Sequence, residues 1–382
     1  MARGEIFSAR VERIASGGAG VAGYEGKRVF IELTAPQDLV RCQIKKDHKT
    51  WAEAELLELL EESPRRAEPL CPLYGRCGGC SLQHLDYEAQ IEAKTAIVKD
   101  AFSRIGGIVL QDIRLRRSSP FEYRNRLQFH KTASNKPGLK ERKSSRLVAL
   151  DDCPVADIGI RKALREGKIR PPPGKERYTV FSSRKTFLCE GAIEHGRVSV
   201  LDKELVIDAG VFFQSNVEML EPLIADLVAA AGEADKTLPL ADIFCGVGTF
   251  AAFLGGEFPE IDLIEENKNA IALARENMPQ GKKTNYYAIA DAEWSKTQKK
   301  ERSWGFMVLD PPRKGLSLGM VEFLVQNGPE LLAYVSCDPA TLARDSRYLL
   351  EGGYSLKDIT LYDFYPQTAH IESLAVFRRR KL

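Results

Sequence analysis

The stretch Asp242-Ile243-Phe244-Cys245-Gly246-Val247-Gly248-Thr249-Phe250 ends an apolar run over residues 238–244 with a glycine loop. Glycines at 246 and 248 let the backbone turn tightly and approach a ligand without a Cβ clash. Gly-x-Gly is shorter than the full dinucleotide fingerprint and decides little alone. Its surroundings decide more. The next predicted strand, residues 261–264, runs into Glu265, about twenty residues on, where a carboxylate can accept hydrogen bonds from ribose hydroxyls. Residues 284–289 lead to Asp291, placed to hold an adenine or another base-edge amine, and residues 305–309 lead to Asp310-Pro311-Pro312-Arg313. Between these strands the pattern turns helical, with Asn216 capping one helix and Ala270, Ile271 and Ala274 sharing a face of another. Strand and helix in alternation predict a parallel sheet.

Four strand ends carrying a glycine loop, Glu265, Asp291 and Asp310 fit an S-adenosylmethionine-binding Rossmann-like plan better than an NAD plan. A fifth predicted strand, residues 331–336, ends at Cys337 within Tyr334-Val335-Ser336-Cys337-Asp338-Pro339-Ala340-Thr341-Leu342-Ala343-Arg344-Asp345. A lone cysteine is usually packing. This one follows a strand beside a cofactor cleft and precedes a helix predicted to start near Ala340, whose amino end favours thiolate. Thiolate plus methyl donor suits methylation at carbon 5 of a pyrimidine, because that carbon becomes nucleophilic only after a thiolate adds to carbon 6. A base must then remove the carbon-5 proton, and Phe364-Tyr365-Pro366-Gln367-Thr368-Ala369-His370-Ile371-Glu372-Ser373 offers Glu372, with His370 as competitor.

Eight cysteines in a chain with no signal-peptide pattern and no bilayer-length apolar run point to metal ligation or catalysis rather than disulfides, and to a cytoplasmic enzyme. Cys71-x5-Cys77-x2-Cys80, joined by the distant Cys153-Pro154, provides four thiols; spacing alone leaves zinc and a [4Fe-4S] cluster both open. Cys42, Cys189 and Cys245 read as packing. Net charge is only +2, from 55 basic and 53 acidic residues, but its distribution is uneven. Residues 114–146 hold eleven Lys/Arg against Glu122 and Glu141, and residues 161–185 hold nine against Glu166 and Glu176. Such local excess suits a phosphate backbone, although a single run of this kind is as often a solvated surface.

Residues 336–345 together with His370-Ile371-Glu372-Ser373 closely resemble the RNA uracil-5 methyltransferases. The resemblance implies Cys337 as nucleophile, Glu372 as base, and Gln214, within Phe212-Phe213-Gln214-Ser215-Asn216, as a contact to the methyl donor. It also implies donor-binding roles for Phe244, Gly246, Gly248, Thr249, Glu265, Asp291 and Asp310, with Thr249 departing from the Asn of some members. The segment from Cys71 to His84 resembles the family's iron–sulfur segment, which implies a [4Fe-4S] cluster on Cys71, Cys77, Cys80 and Cys153. Its spacing differs from the Cys-x3-Cys-x2-Cys of radical enzymes, and four thiolates leave no open iron, so a structural or RNA-positioning role follows. Residues 5–60, short strands with glycine turns, resemble the TRAM module, a small barrel of the oligonucleotide-binding kind.

The fold expected is therefore multidomain: an N-terminal TRAM-like β-barrel over residues 1–62, a central α+β iron–sulfur, basic RNA-binding domain over 63–205, and a C-terminal α/β Rossmann-like methyltransferase domain over 206–382. The expected partner is RNA, 23S ribosomal RNA ahead of transfer RNA, with no membrane or protein partner. Phe213 and Phe364 are candidates to stack on a flipped-out base. Two rivals stand beside this reading. A cytosine-5 methyltransferase would use the same covalent logic but commonly a second cysteine where Glu372 stands. A non-catalytic iron–sulfur RNA-binding protein would not need both a nucleophile and a base.

Overall fold

The computed structural model describes residues 1–298 and 302–380. Strand alternation closes the first sixty residues on themselves. Along Ile6–Ile14 buried and exposed side chains alternate, and with Gly20–Tyr24, Lys27–Ile31, Leu39–Asp47 and Trp51–Glu61 this strand forms a closed five-stranded barrel. Val11, Ala22, Val29, Val40, Cys42 and Ile44 fill it. Cys42 is thus a packing thiol, as its sequence context implies. The barrel is fastened to the following segment by Arg66, whose guanidinium grips the fully buried Asp38 at 3.0 and 2.8 Å. His84 adds a second tie through Nε2 to the Thr34 carbonyl, 3.0 Å.

The basic middle of the chain builds an antiparallel sheet in the order Thr186–Cys189, Arg177–Ser183, Arg126–Lys131, Pro137–Lys140, Leu147–Ala149. The helix Ile158–Arg165, capped by Asp157, packs on it through Ile160, Ala163 and Leu164.

The catalytic sheet has eight strands, in spatial order Lys283–Tyr287, Glu260–Ile264, Leu240–Ile243, Phe306–Leu309, Leu331–Ser336, Glu372–Arg379, Tyr354–Tyr362 and Arg114–Arg116. The first five run parallel and Glu372–Arg379 is antiparallel to its neighbours. Chain order reverses between Leu240–Ile243 and Phe306–Leu309, so a crevice opens at the carboxyl ends of these two strands. The predicted cap is present, Asn216 accepting from the Met219 amide, and two further caps appear: Asn267 accepts from Ala270, and Asp338 from Ala340 and Thr341. Among the described residues no helix is long and apolar enough to cross a membrane.

Two boundaries differ from expectation. The strand Arg114–Arg116 and the helix Tyr87–Ala101 fall inside residues 63–205 yet belong to the catalytic sheet and its covering layer, where Ile97, Val98 and Ala101 pack among Leu342, Ala343 and Leu361. Residue 206 lies within the hairpin His195–Val200/Lys203–Asp208, whose Val198, Val200 and Leu205 share a core with Leu220 and Leu240. Both misplacements come from non-local pairing that local pattern does not encode.

The helix Tyr87–Ala101 carries an ion pair with no exposed surface, Lys94 Nζ to Asp363 Oδ1 at 2.5 Å. Removing one partner of such a pair leaves an uncompensated buried charge. Lys94→Met is expected to cost about 3–5 kcal/mol, read as a lower urea midpoint; an unchanged midpoint would contradict the pairing.

Candidate active site

Each strand end delivers one polar group to a single cleft of about 680 Å³. After Leu240–Ile243 the chain turns through Phe244 and Gly246, both at positive φ, 65° and 55°. Gly248 begins the helix Thr249–Leu254 at φ 77°; a Cβ there would lie 2.6 Å from the Met278 methyl. Gly248 therefore makes close helix packing possible and does not itself line the cleft. Beneath the loop, the fully buried Asp242 accepts from the Ala251 amide at 3.0 Å, and burial raises its carboxyl to about 8.

Phe244, Gly246, Thr249, Glu265, Asp291, Asp310, Gln214, Cys337 and Glu372 all line the cleft. Glu265 accepts from the Gly246 amide at 3.2 Å and the Asn267 amide at 2.8 Å, which fixes its carboxylate at the loop. Asp291 reaches the cleft wall, but its Oδ2 is held by Ser317, 2.6 Å from the hydroxyl. Gln214 Nε2 approaches Asp310 Oδ2 at 3.4 Å.

Cys337 leaves the strand Leu331–Ser336 just before the helix Pro339–Glu351, and Glu372 opens the antiparallel strand beside it, Ser336 pairing with Ser373. Nucleophile and acid thus stand at neighbouring strand ends. Burial pushes the Glu372 carboxyl well above its ordinary range; Asp310 adds to this and Arg313 opposes it. Asp310 is raised to about 7 by burial and then by Glu265. The surroundings of Cys337 oppose the thiolate that its helix position favours. Burial, then Glu372 and Asp310, pushes the thiol up to about 12 against the pull of Arg313. Burial first, and carboxylates brought in by other strands second, oppose the helix end. Iodoacetamide labelling of Cys337 in the ligand-free protein is expected to accelerate about tenfold per pH unit from pH 7 to 9, since only thiolate reacts. A plateau by pH 8 would mean the helix end prevails.

His370 sits at the cleft mouth with Nδ1 3.0 Å from an Arg313 guanidinium nitrogen and its ring edge-on to Tyr365. Partial enclosure, then the cations Arg313, Arg124 and Lys94, lowers its imidazole to about 4. Because arginine only donates, Nδ1 must accept and Nε2 carries the proton. A neutral ring in that tautomer has no free acceptor for a substrate proton.

The expected stacking residues are corrected. Phe213, 2% exposed, packs edge-on against Phe181, and Phe364, 1% exposed, belongs to the core. Their chain neighbours do face the cleft: Phe212, 57% exposed, lies under the Arg126 guanidinium, and Tyr365 lies near that of Arg124. Arg124, Arg126, Gln128 and Lys314 also line the cleft. The basic run at 114–146 is the only sequence sign of the first two.

Cys71, Cys77, Cys80 and Cys153 surround a second, small hollow with apolar walls from Leu127, Leu139, Leu150 and Val155. Arg124 borders both this hollow and the catalytic cleft. Beside it Gln83 accepts from the Cys71 amide at 3.1 Å while its buried Nε2 has no partner. Cys245 is enclosed and its thiol raised well above the ordinary range by burial; Cys189 is raised the same way.

A closed barrel, a methyltransferase-type sheet and this cleft define an RNA-modifying enzyme of the methyl-transfer class. The sequence profile of the family described as tRNA (Uracil-5-)-methyltransferase matches residues 183–380, and that of the TRAM domain matches residues 2–57. An RNA methyltransferase of Treponema denticola is 34% identical over 93% of this chain and 94% of its own length. The 23S rRNA (uracil(1939)-C(5))-methyltransferase RlmD of Shewanella halifaxensis is 30% identical over 97% of this chain and 95% of its own. Among solved structures, the Pyrococcus abyssi tRNA (uracil-54, C5)-methyltransferase in complex with S-adenosyl-L-homocysteine superposes with a TM-score of 0.73 at 22% identity, covering 97% of this chain and 100% of that one. The chain belongs to the tRNA (uracil-5-)-methyltransferase family and carries a TRAM domain. It is an S-adenosylmethionine-dependent RNA uracil-5 methyltransferase.

Proposed function

We propose that this enzyme methylates carbon 5 of a uridine in 23S ribosomal RNA through a covalent adduct, with Cys337 as nucleophile and Glu372 as base. The observation that carries the reading is the meeting of Cys337, Glu372 and the strand-end carboxylates in one cleft. Gln214, Phe244, Glu265, Asp291 and Asp310 fit a donor with ribose hydroxyls, an adenine amine and a cationic centre, because acceptors and the glycine loop line the same cleft. S-adenosylmethionine supplies an electrophilic methyl on a positively charged sulfur.

The chain's own groups then act in sequence. Cys337 gives up its proton to solvent and forms an Sγ–C6 bond, sending an electron pair onto the pyrimidine O4. That pair returns through carbon 5, which takes the methyl while the donor's sulfur keeps the bonding electrons. Ionised Glu372 removes the carbon-5 proton, C5=C6 reforms, and Sγ leaves as thiolate. His370, its Nδ1 committed to Arg313, is left as a hydrogen-bond donor. Phe212 and Tyr365 offer aromatic faces for the flipped base, and Arg124, Arg126 and Lys314 offer charge for its phosphates.

The four cysteines suit a [4Fe-4S] cluster better than a single zinc. Among the described residues, three ligand-type atoms come within 4.8 Å of one another at Glu194, His195 and Asp208, not at the cysteines. A tetrahedral ion with bonds of about 2.3 Å needs that closeness, whereas a polynuclear cluster needs wider spacing. The cluster would cross-link the Cys71–Cys80 segment to Cys153 and hold the basic sheet in place.

The ribosomal reading rests on the Shewanella halifaxensis relative; transfer RNA is the second reading, favoured by the Pyrococcus abyssi fold match. The test is incubation with S-adenosylmethionine and RNA from a strain lacking the gene, followed by oligonucleotide mapping. New 5-methyluridine in a 23S fragment is expected; its appearance only in transfer RNA would move the substrate to the second reading.

A further inference from the structure

Glu372 follows a loop, residues 363–371, that has no regular structure of its own. Several polar groups of this loop are held by residues 81–94, outside the catalytic sheet. Gln367 holds a left-handed conformation, φ 65°, which a side-chain-bearing residue keeps only where its surroundings impose it. Its amide donates to Gln90 Oε1 at 2.8 Å, and its side-chain oxygen accepts from Gln90 Nε2 at 3.0 Å. Its carbonyl accepts from the Ser81 and Leu82 amides, both at 2.9 Å. Lys94 Nζ binds Asp363 Oδ1 and the Tyr365 carbonyl at 2.5 and 2.9 Å. Ser81 Oγ accepts from the Ala369 amide at 2.9 Å. The barrel closes over this joint: a Cβ on Gly18, φ 91°, would lie 3.1 Å from Ser81 Oγ and 3.2 Å from Ala369 Cβ.

We propose that Ser81, Gln90 and Lys94 form a clamp that sets the position of Glu372, and that the clamp serves proton removal and release of Cys337 rather than methyl transfer. They are positioning residues, since none of them lines the catalytic cleft. Gln90, Gln367 and Lys94 are buried, so their bonds are not exchanged for water and hold the loop in one conformation. Cys80 directly precedes Ser81, so the clamp continues the four-cysteine segment into the base loop. Cys337 reaches the cleft from a different strand, and Ser81, Gln90 and Lys94 make their bonds to the loop before Glu372 and not to Cys337. A loosened loop therefore leaves addition and methyl transfer in place while the carbon-5 proton waits. This inference rests on the roles proposed for Cys337 and Glu372.

The test compares full-length wild type, Gln90→Ala and Glu372→Gln, each with RNA and S-adenosylmethionine. A denaturing gel follows the protein–RNA adduct, and mass spectrometry reads its methyl content. Gln90→Ala is expected to accumulate methylated adduct with a lifetime at least about tenfold longer than wild type, with KM for RNA unchanged. A destabilised fold would lower adduct formation and release together. Adduct resolving at the wild-type rate in Gln90→Ala, while Glu372→Gln traps it, would overturn the clamp alone. No trapping in Glu372→Gln would overturn the base assignment and the clamp with it. Where Gln90→Ala does not fold, Ser81→Ala removes only the bond to Ala369 and is expected to lengthen the lifetime to a smaller degree; no lengthening would likewise overturn the clamp.

Discussion

Cys337→Ala is expected to lower methyl transfer by at least about 10⁴-fold and to abolish any adduct that survives denaturation. Carbon 5 of uracil gains nucleophilic character only through addition at carbon 6, so no neighbouring group compensates. Cys245, the other thiol on the cleft wall, is buried with its proton held firmly, and it lies on the glycine-loop side. Donor binding should persist, because the carboxylates and Gln214 are untouched; isothermal titration with S-adenosylhomocysteine checks this. Residual turnover within tenfold of wild type would remove Cys337 from the chemistry and favour direct attack by carbon 5. The same variant should keep its stability within about 0.5 kcal/mol, since Cys337 is only partly buried and makes no side-chain hydrogen bond essential to the turn.

Glu372→Gln is expected to give the opposite pattern: little product, but abundant covalent RNA–protein complex that already carries the methyl group. Loss of a positioned base costs about 10²–10⁴-fold, and here it falls on the last step, so the species before that step accumulates. The electrostatics support a poised acid. Burial and Asp310 raise Glu372 well above the ordinary carboxylate range, and Arg313 pulls it back. A raised carboxyl is a stronger base once ionised, and it is protonated as pH falls. Product release should therefore slow at acid pH in wild type, whereas in Glu372→Gln that dependence should vanish. Adduct lacking the methyl group would place Glu372 earlier, in activation of Cys337.

The lining of the cleft was legible in the sequence where it lies in contiguous runs at strand ends. Glycine loop, Glu265, Asp310, Cys337 and Glu372 each sit in a short signature, and a parallel sheet gathers such ends at one edge. What depends on register or on distant chain was not legible. In Phe212-Phe213 adjacent side chains point to opposite sides, so the pair cannot say which faces the cleft, and the buried member was the wrong choice. The same holds for Phe364-Tyr365. The helix end that favours thiolate at Cys337 is local, whereas the burial that opposes it, and after it Glu372 and Asp310, come from distant parts of the chain. The strand Arg114–Arg116 joins the sheet by pairing with Tyr354–Tyr362, far along the chain, and no local pattern announces that pairing.

The central claim is covalent methylation of uridine carbon 5, and trideuteromethyl-labelled S-adenosylmethionine tests it most directly. Wild type and Cys337→Ala are each incubated with unmodified 23S and transfer RNA, and the digested nucleosides are read by mass spectrometry. The account predicts 5-methyluridine bearing the deuterated methyl with wild type and none with Cys337→Ala. Labelled 5-methylcytidine, or equal labelling by the two proteins, would contradict it.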